Sequence, residues 1–462
     1  MSDLDSNISP GRDEADRVAA VMLDDIENAV QEGDRRWLSR VLARLHPADA
    51  SDALEQLSPE DFSNVVALLG EELPSDVLIE LRDEYREDAV EALPDEAVTA
   101  AIGDLDSDDA TAILEDMEDD RRDRILDDLT PEDRAPLQQA LDFDEETAGR
   151  LMQREFVAAP EFWTVGHTVD HARDLGDDLP DQFFEIYVVD PAFKVLGAVP
   201  LATLLRTSRN VPLSDIMLDT EATIETGMDQ EEVAYLFQKY HLASAPVVDE
   251  NGRITGMITV DDMVDVIQEE NTEDLLALSG VSSADGSDTV WESVRARAPW
   301  LAINLVTAFV ASGIISLFEP ALNTLVALAI LMPVVAALGG NAGSQALAVT
   351  VRAIAEREME GSAAQRAVRR EVLTGLVNGV LFAIGVGVVT LVWFQNVSLA
   401  LTIGAAILAT FIWGCLAGIL VPLTMKRLGA DPAVASSVFV LTLTDIIAFF
   451  SFLGLATLVF RP

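Results

Sequence analysis

The sequence predicts a multidomain membrane protein: an α-helical superhelix N-domain, an α+β region that uses one motif twice, and a five-helix transmembrane domain. Three observations carry that prediction. Charge is divided unevenly: the formal net charge is −49, yet Pro299–Pro462 holds seven acidic and eight basic residues, leaving 72 acidic and 22 basic in residues 1–298. The long apolar runs fall in that near-neutral part, and about 20 apolar residues suffice to cross a bilayer as a helix. Helix-start signals recur over the first 150 or so residues and give way near Glu155 to short β-branched runs.

Composition narrows the function classes. Lys194, Lys239 and Lys426 are the only lysines. Pervasive acidity with scarce lysine marks a salt-adapted proteome, in which a carboxylate surface stays hydrated. Such a surface repels phosphate, so nucleic acid is excluded as a partner. It also makes any acidic cluster weak evidence of a cation site by itself. Cys415 is the one cysteine and lies in an apolar segment, where it reads as a small buried hydrophobe rather than half of a disulfide or a thiolate ligand. Residues 1–16 are acidic and lack an apolar core, so a disordered tail is expected there rather than a signal peptide.

Residues 17–151 read as stacked short helices. Apolar residues recur at steps of three and four, as in Phe62, Val65, Val66, Leu68 and Leu69. Starts recur at Ser58-Pro-Glu-Asp, Leu73-Pro-Ser-Asp, Leu93-Pro-Asp-Glu, Ser107-Asp-Asp and Thr130-Pro-Glu-Asp. Ser58 and Thr130 can cap a helix, proline suits its first turn, and the acids suit its positive end. Starts spaced roughly 13–23 residues apart predict an α-solenoid or superhelix. No catalytic constellation occurs here; the region offers a surface or a lever.

Residues 152–274 divide into two copies, 152–213 and 214–274. Phe184–Val189 and Val195–Val199 read as paired strands around a turn at Asp190-Pro191. Ser244–Val248 and Ile254–Thr259 repeat the pattern around Glu250-Asn-Gly252, and a helix follows each pair. This texture resembles a tandem pair of CBS (cystathionine-β-synthase-type) domains, more closely in the second copy. The resemblance implies that Thr259 and Asp262 occupy positions that often hold the ribose of an adenine nucleotide, ATP or another. The first copy has proline and threonine there, Pro200 and Thr203, so at most one nucleotide site is expected, and a scaffold without nucleotide stays open.

The second copy ends in a dense run of acid. At helical spacing Asp262, Asp265 and Glu269 share one face, and Glu270, Glu273 and Asp274 share another. Like charges so placed repel by a few tenths of a kcal/mol each, unless a cation lies between them, and hard divalent cations choose such oxygen ligands. Salt adaptation is the competing explanation. After a hinge at Ser279–Asp288, residues 275–297 are expected to connect to the membrane through an amphipathic helix, Val290–Arg297.

The transmembrane domain spans 298–462, with helices expected at 298–318, 322–351, 369–394, 398–424 and 432–460. Arg295 and Arg297 precede the first, five arginines lie between the second and third, and Lys426 and Arg427 follow the fourth. The excess of arginine and lysine marks the cytoplasmic side. The acidic region is then cytoplasmic, the protein multi-pass in the cell membrane among lipid, and the C-terminus outside.

Two membrane features are anomalous. Pro333-Val-Val-Ala-Ala-Leu-Gly-Gly-Asn-Ala-Gly-Ser-Gln345 lies within a run free of charge from Leu322 to Val351. Polar groups survive in lipid only against protein or a wet cavity. Asn341 and Gln345 are one turn apart, Gly339, Gly340 and Gly343 allow close backbone approach, and Pro333 is placed to bend the segment. The second anomaly is Asp445, the lone charge in Pro432–Phe460. It lies thirteen residues past Pro432, about 20 Å along a helix and so near the bilayer centre. A carboxylate there persists with a proton, a cationic partner or a permeating ion. The spans supply no cationic partner, which leaves a protonated structural Asp or an ion pathway. Thr442 adds a nearby hydroxyl.

Pro333 through Gln345, Gly429-Ala-Asp-Pro432 and Asp445 resemble the MgtE family of magnesium channels, and the order of parts matches over nearly the whole chain. The resemblance implies a homodimer with its pore on the two-fold axis and two copies of Asp445 at the centre. It implies that Asp445, Asn341 and the three glycines line the path, and the Gln345 amide and Thr442 hydroxyl are read as polar groups of the same path. It further implies that Mg²⁺ held by Glu269, Glu270 and Asp431, with Asp249, Asp261, Asp262 and Asp265, closes the pore. Expected function is Mg²⁺ import, with no enzymatic activity. Two other readings remain: a Na⁺- or H⁺-coupled divalent cation antiporter or exporter, and a membrane-anchored nucleotide sensor.

Overall fold

The computed structural model describes residues 23–460 apart from 24, 116, 177, 178, 180, 181, 280, 282–289, 356, 358 and 360. The expected tail, most of the hinge at Ser279–Asp288, and the C-terminal Arg461-Pro462 lie outside the described residues. The chain forms two compact units, Met1–Ile267 and Gln268–Pro462.

The first unit carries short helices, from residues 25–32 and Arg35–Leu42 to Pro131–Leu141, whose apolar faces share one core that includes Phe62, Val65, Val66 and Leu69. The signals read in sequence act as expected at two helix starts. Ser58 Oγ accepts from the Asp61 amide and Thr130 Oγ1 from the Asp133 amide, each with proline in the first turn. Pro74 and Pro94 instead occupy the cap positions of their helices, where no side chain caps. Arginine ties the acidic helices together across the chain. Arg121 donates to Asp95 and to the carbonyls of Val90 and Leu93, and Arg82 donates to Glu55.

Two three-stranded sheets follow. Strands β1 (Ala158–Pro160), β2 (Glu185–Val189) and β3 (Val195–Pro200) form the first, and β4 (Ile224–Glu225), β5 (Ser244–Val248) and β6 (Ile254–Thr259) the second. In both, the first pair is parallel and the second antiparallel, with the register slip at the same place, Val188/Val189 and Val247/Val248. β2, β3, β5 and β6 fall where the alternation puts them. β1 and β4 are additional, and three or two residues are too few to show a period. Each sheet packs on its own helices, and Tyr187, Val189, Ala198, Ile254 and Met257 form a core between the two. Helix Val260–Leu278 starts in this unit and ends in the second.

The second unit holds five helices long and apolar enough to cross a membrane. The first span runs Val290–Ser316 without a break, so the expected amphipathic connector and the first membrane helix are one helix with Pro299 inside it. A short helix, Glu319–Thr324, is separated by an extended Leu325 from the second span, Ala327–Ala355. The second span stays helical through Pro333 and the glycines, because Pro333 sits in its second turn and costs a single early backbone bond. The third, fourth and fifth spans are Gly361–Phe394, Val397–Arg427 and Pro432–Val459. The fourth is the hub, packing on the second, third and fifth, while the first packs on the fifth.

Candidate ion pathway and acidic sites

Glycine decides how closely the membrane helices approach. A Cβ on Gly339 would sit 2.2 Å from Thr410 Cγ2 of the fourth span. One on Gly343 would sit 2.9 Å from Thr444 Cγ2 and Val440 Cγ1 of the fifth. The fourth span answers in kind: Cβ atoms on Gly414 and Gly418 would come within 2.9 and 2.5 Å of the carbonyls of Gly339 and Gly343. Gly340 faces Leu441, whose Cδ2 would lie 3.5 Å from an added Cβ. The three glycines of the motif are therefore seams between helices of one chain.

Asn341 and Gln345 point elsewhere. Both are exposed on the second span, off the face its glycines pack. Asp445 is half-buried on the fifth span beside the buried Thr444, one residue beyond the Gly343 contact. Among the described residues no side chain pairs with its carboxylate. Thr442 Oγ1 donates to the Val438 carbonyl, which leaves its lone pairs free to accept. The glycine seam thus places Asp445 and Asn341 on adjoining helices, Asp445 half-buried and Asn341 exposed.

Acidic residues gather at two places, one in each unit. In the first, Ser107 begins helix Ser107–Glu115 and is tied down by Glu155, whose Oε2 accepts from Ser107 Oγ at 2.8 Å and from the Ser107 amide at 3.1 Å. That contact sets Asp108 and Asp109 against the start of helix Val260–Leu278. Burial, then Asp262, then neighbouring acids raise the Asp109 carboxyl to about 7. Burial and the same neighbours push Asp108 well above the usual carboxylate range. Burial raises Asp262 to about 6, against the lowering hydrogen bond from Thr259 and with further raising by Asp261 and Asp265. The Thr259 hydroxyl meets both Asp261 and Asp262, so the two positions expected to hold a ribose hold each other.

Sequence reasoning missed Asp108 and Asp109. An acidic helix start already has a local explanation in the helix dipole, and their long-range meeting with Asp262 leaves no local pattern. Asp249 does a different job: its Oδ1 accepts from the amides of Asn251 and Arg253, closing the turn between β5 and β6 as Asp190 closes the one between β2 and β3.

In the second unit, burial and then Asp431, Glu270 and Glu273 raise Asp274 to about 6. Asp431 caps the fifth span, its Oδ1 accepting from the Ala433 amide at 2.7 Å. Ala277, one turn further along the acidic helix, packs with Leu347, Val351, Ala417 and Ala433. The end of that helix is therefore seated on the second, fourth and fifth spans, with Glu270, Glu273, Asp274 and Asp431 acting on one another there. Glu269 is exposed on the same helix. Among the described residues no three His, Cys, Asp or Glu side chains converge closely enough to hold a bare metal ion.

Comparisons with known proteins address the same regions. A family model described as a divalent cation transporter, MgtE, matches residues 332–455, one for the MgtE intracellular N domain matches 45–146, and one for the CBS domain matches 213–269. The magnesium transporter MgtE of Thermus thermophilus is 33% identical over 335 residues, 71% of this chain and 73% of that protein. That of Enterococcus faecalis is 32% identical over 330 residues, with 71% and 73% covered. Among solved structures, the cytosolic domain of the Mg²⁺ channel MgtE in complex with ATP is 33% identical, covers 53% of this chain and 99% of that one, and superposes with a TM-score of 0.49.

Proposed function

The chain belongs to the MgtE family of divalent cation transporters, and from that premise we propose that it imports Mg²⁺ through a path that Asp445 selects. One observation carries the reading: a half-buried carboxylate in the fifth membrane helix, without a pairing side chain among the described residues, beside a polar face of the second span. A charge so placed calls for an ion or a proton. Mg²⁺ sheds its water reluctantly, so carboxylates too far apart to ligate a bare ion suit one held through its hydration shell. Asn341 and Gln345 supply further polar contacts, and their exposure in one chain fits a path completed by a second copy on a two-fold axis.

Orientation follows from the basic residues at the span ends, with the acidic region cytoplasmic and the C-terminus outside. An inside-negative potential then drives entry, at about 2.3 kcal/mol per charge per 100 mV and twice that for a divalent ion. The two acidic gatherings sense the Mg²⁺ that enters. Carboxylates forced together with raised proton affinity favour any cation that neutralises them. Mg²⁺ at Asp108, Asp109, Asp261 and Asp262 draws the superhelix onto the second sheet domain. Mg²⁺ at Glu270, Asp274 and Asp431 fixes the acidic helix on the ends of the pathway helices, closing the path. An adenine nucleotide at the second copy has to part Thr259 from Asp262, which couples any such ligand to the same acids.

Mg²⁺ uptake into proteoliposomes tests the reading. The wild type is expected to take up Mg²⁺ and Asp445→Ala to fail. Undiminished uptake by Asp445→Ala would remove Asp445 from the path. Dependence of the wild-type flux on an opposing Na⁺ or H⁺ gradient would make the protein an exchanger.

A further inference from the structure

Helix Val165–Leu175, in the first sheet domain, carries two of the chain's four histidines, His167 and His171, one turn apart. Residues at that spacing share a face, with Cβ atoms about 5–6 Å apart. Two imidazoles so placed can grip a single ion, as the pair in a His-Glu-x-x-His helix grips zinc. The helix holds them in place. Thr164 caps it, Oγ1 accepting from the His167 amide at 3.3 Å, and the Gly166 amide donates to the Arg209 carbonyl at 2.8 Å.

Both rings also meet one indole. The Trp163 ring stands nearly perpendicular to each, with its centroid 4.3 Å from that of His167 and 5.0 Å from that of His171. Trp163 is itself fixed. It packs on the core that includes Val157, Val165 and Ile186, its amide donates to the Pro160 carbonyl at 3.0 Å, and its carbonyl accepts from the Leu213 amide at 2.8 Å. A fixed indole against two imidazoles limits their rotation before any ligand arrives, which lowers the entropy cost of binding one.

The ring nitrogens are uncommitted. His46 uses its Nδ1 to accept from the Ala48 amide; among the described residues neither His167 nor His171 spends a ring nitrogen on a hydrogen bond. His167 is exposed and His171 half-buried, so an ion reaches them from solvent and water can fill its remaining positions. Asp174 follows His171 by three residues on the same face and adds negative charge nearby. Asp170 is engaged instead by Arg209 and Arg173. Imidazole suits Zn²⁺, Cu²⁺ and Ni²⁺, whereas Mg²⁺ takes oxygen ligands and keeps much of its water.

We propose that His167 and His171 chelate a divalent transition cation of the Ni²⁺, Cu²⁺ and Zn²⁺ class at a site that Mg²⁺ does not occupy. The first sheet domain thereby registers a transition cation in the presence of excess Mg²⁺. The site stands on two imidazoles and an indole, and does not depend on which ion crosses the membrane.

The test titrates the full chain in detergent with NiCl₂, in high KCl and excess MgCl₂ to occupy the acidic residues, and follows tryptophan emission. Ni²⁺ beside Trp163 is expected to quench it, and Trp163→Phe titrated in parallel separates that component from the other tryptophans. Losing an outer-shell partner already costs a metal site about tenfold, so His167→Gln and His171→Gln are each expected to raise the quenching midpoint about tenfold or more. His241→Gln, on another helix, should leave the midpoint unchanged. Added ZnCl₂ is expected to displace Ni²⁺ and restore emission, and further MgCl₂ to leave it quenched. Absence of quenching at Trp163, a midpoint unchanged in both His167→Gln and His171→Gln, or displacement by MgCl₂ as readily as by ZnCl₂ would each overturn the proposal.

Discussion

Asp109→Asn is expected to stabilise the first unit when divalent cations are absent, although it deletes a residue of the proposed sensor. In the folded chain the Asp109 carboxyl titrates at about 7 against an ordinary 3.8. The folded state thus holds a proton that the unfolded chain releases. Stability from this group is fullest below pH 4 and declines as pH rises through 7. About three pKa units at about 1.4 kcal/mol each set an upper bound of about 4 kcal/mol on the cost of ionising it. Relaxation and coupling to Asp108 and Asp262 reduce that to about 2 kcal/mol for the single amide substitution. Local opening of helix Ser107–Glu115 reads the effect without assuming that the whole chain unfolds in one step. At pH 8, with chelator and constant high KCl, hydrogen exchange at Ala110–Leu114 is expected to slow by about tenfold or more in Asp109→Asn. At pH 4, corrected for intrinsic rates, the two proteins should agree. Mg²⁺ at a hundred times its dissociation constant is expected to add about 2.7 kcal/mol of protection to the wild type and much less to the variant. Equal or faster exchange in metal-free Asp109→Asn at pH 8 would refute the reasoning, because the acids would then not be held in repulsion.

Three further outcomes follow from the same structure. Asp274→Asn, which relieves repulsion with Asp431 and Glu270, is expected to raise by several-fold the Mg²⁺ concentration that halts uptake in proteoliposomes preloaded with Mg²⁺; an unchanged threshold would separate that cluster from gating. Gly418→Ala drives a methyl to within 2.5 Å of the Gly343 carbonyl, so a loss of about 1–3 kcal/mol is expected, seen as reduced thermal stability of the detergent-purified chain, whereas Gly313→Ala, which meets nothing within 4 Å, should be neutral or better. Ser107→Ala removes the hydroxyl that donates to Glu155 and accepts from the Arg154 amide at 2.7 Å, and is expected to cost about 1–3 kcal/mol and to speed exchange at Ala110–Leu114.

Much of this architecture is legible wherever a local pattern has a local cause. Ser58 and Thr130 announce their helices because the cap and first turn are adjacent in sequence. β2, β3, β5 and β6 announce themselves because alternating burial is a two-residue property. The five spans stand out because lipid tolerates little else. Boundaries fail where a local signal is overruled: the expected break between residues 297 and 298 is absent, because the first span continues through it, and Leu325 breaks a run that composition alone would keep whole. The membrane carboxylate is legible since Asp445 is a single charge among apolar neighbours. Asp108 and Asp109 are not, since in a chain with 79 acidic residues two more at a helix start carry no mark. The Ser107–Glu155 contact, made across 48 residues, and the packing of helix Ser107–Glu115 on its neighbours bring them to Asp262. The glycines of the motif were expected to shape a path. In the structure they let the second, fourth and fifth spans close on one another.

The role of Asp445 is measured most directly as Mg²⁺ influx into proteoliposomes at a fixed inside-negative potential for wild type and Asp445→Asn. The amide keeps the shape and removes the charge. A charge facing a divalent ion through one layer of water is worth on the order of several kcal/mol, so influx is expected to fall by about a hundredfold. Influx through Asp445→Asn equal to that of the wild type would contradict the claim that this carboxylate selects the ion.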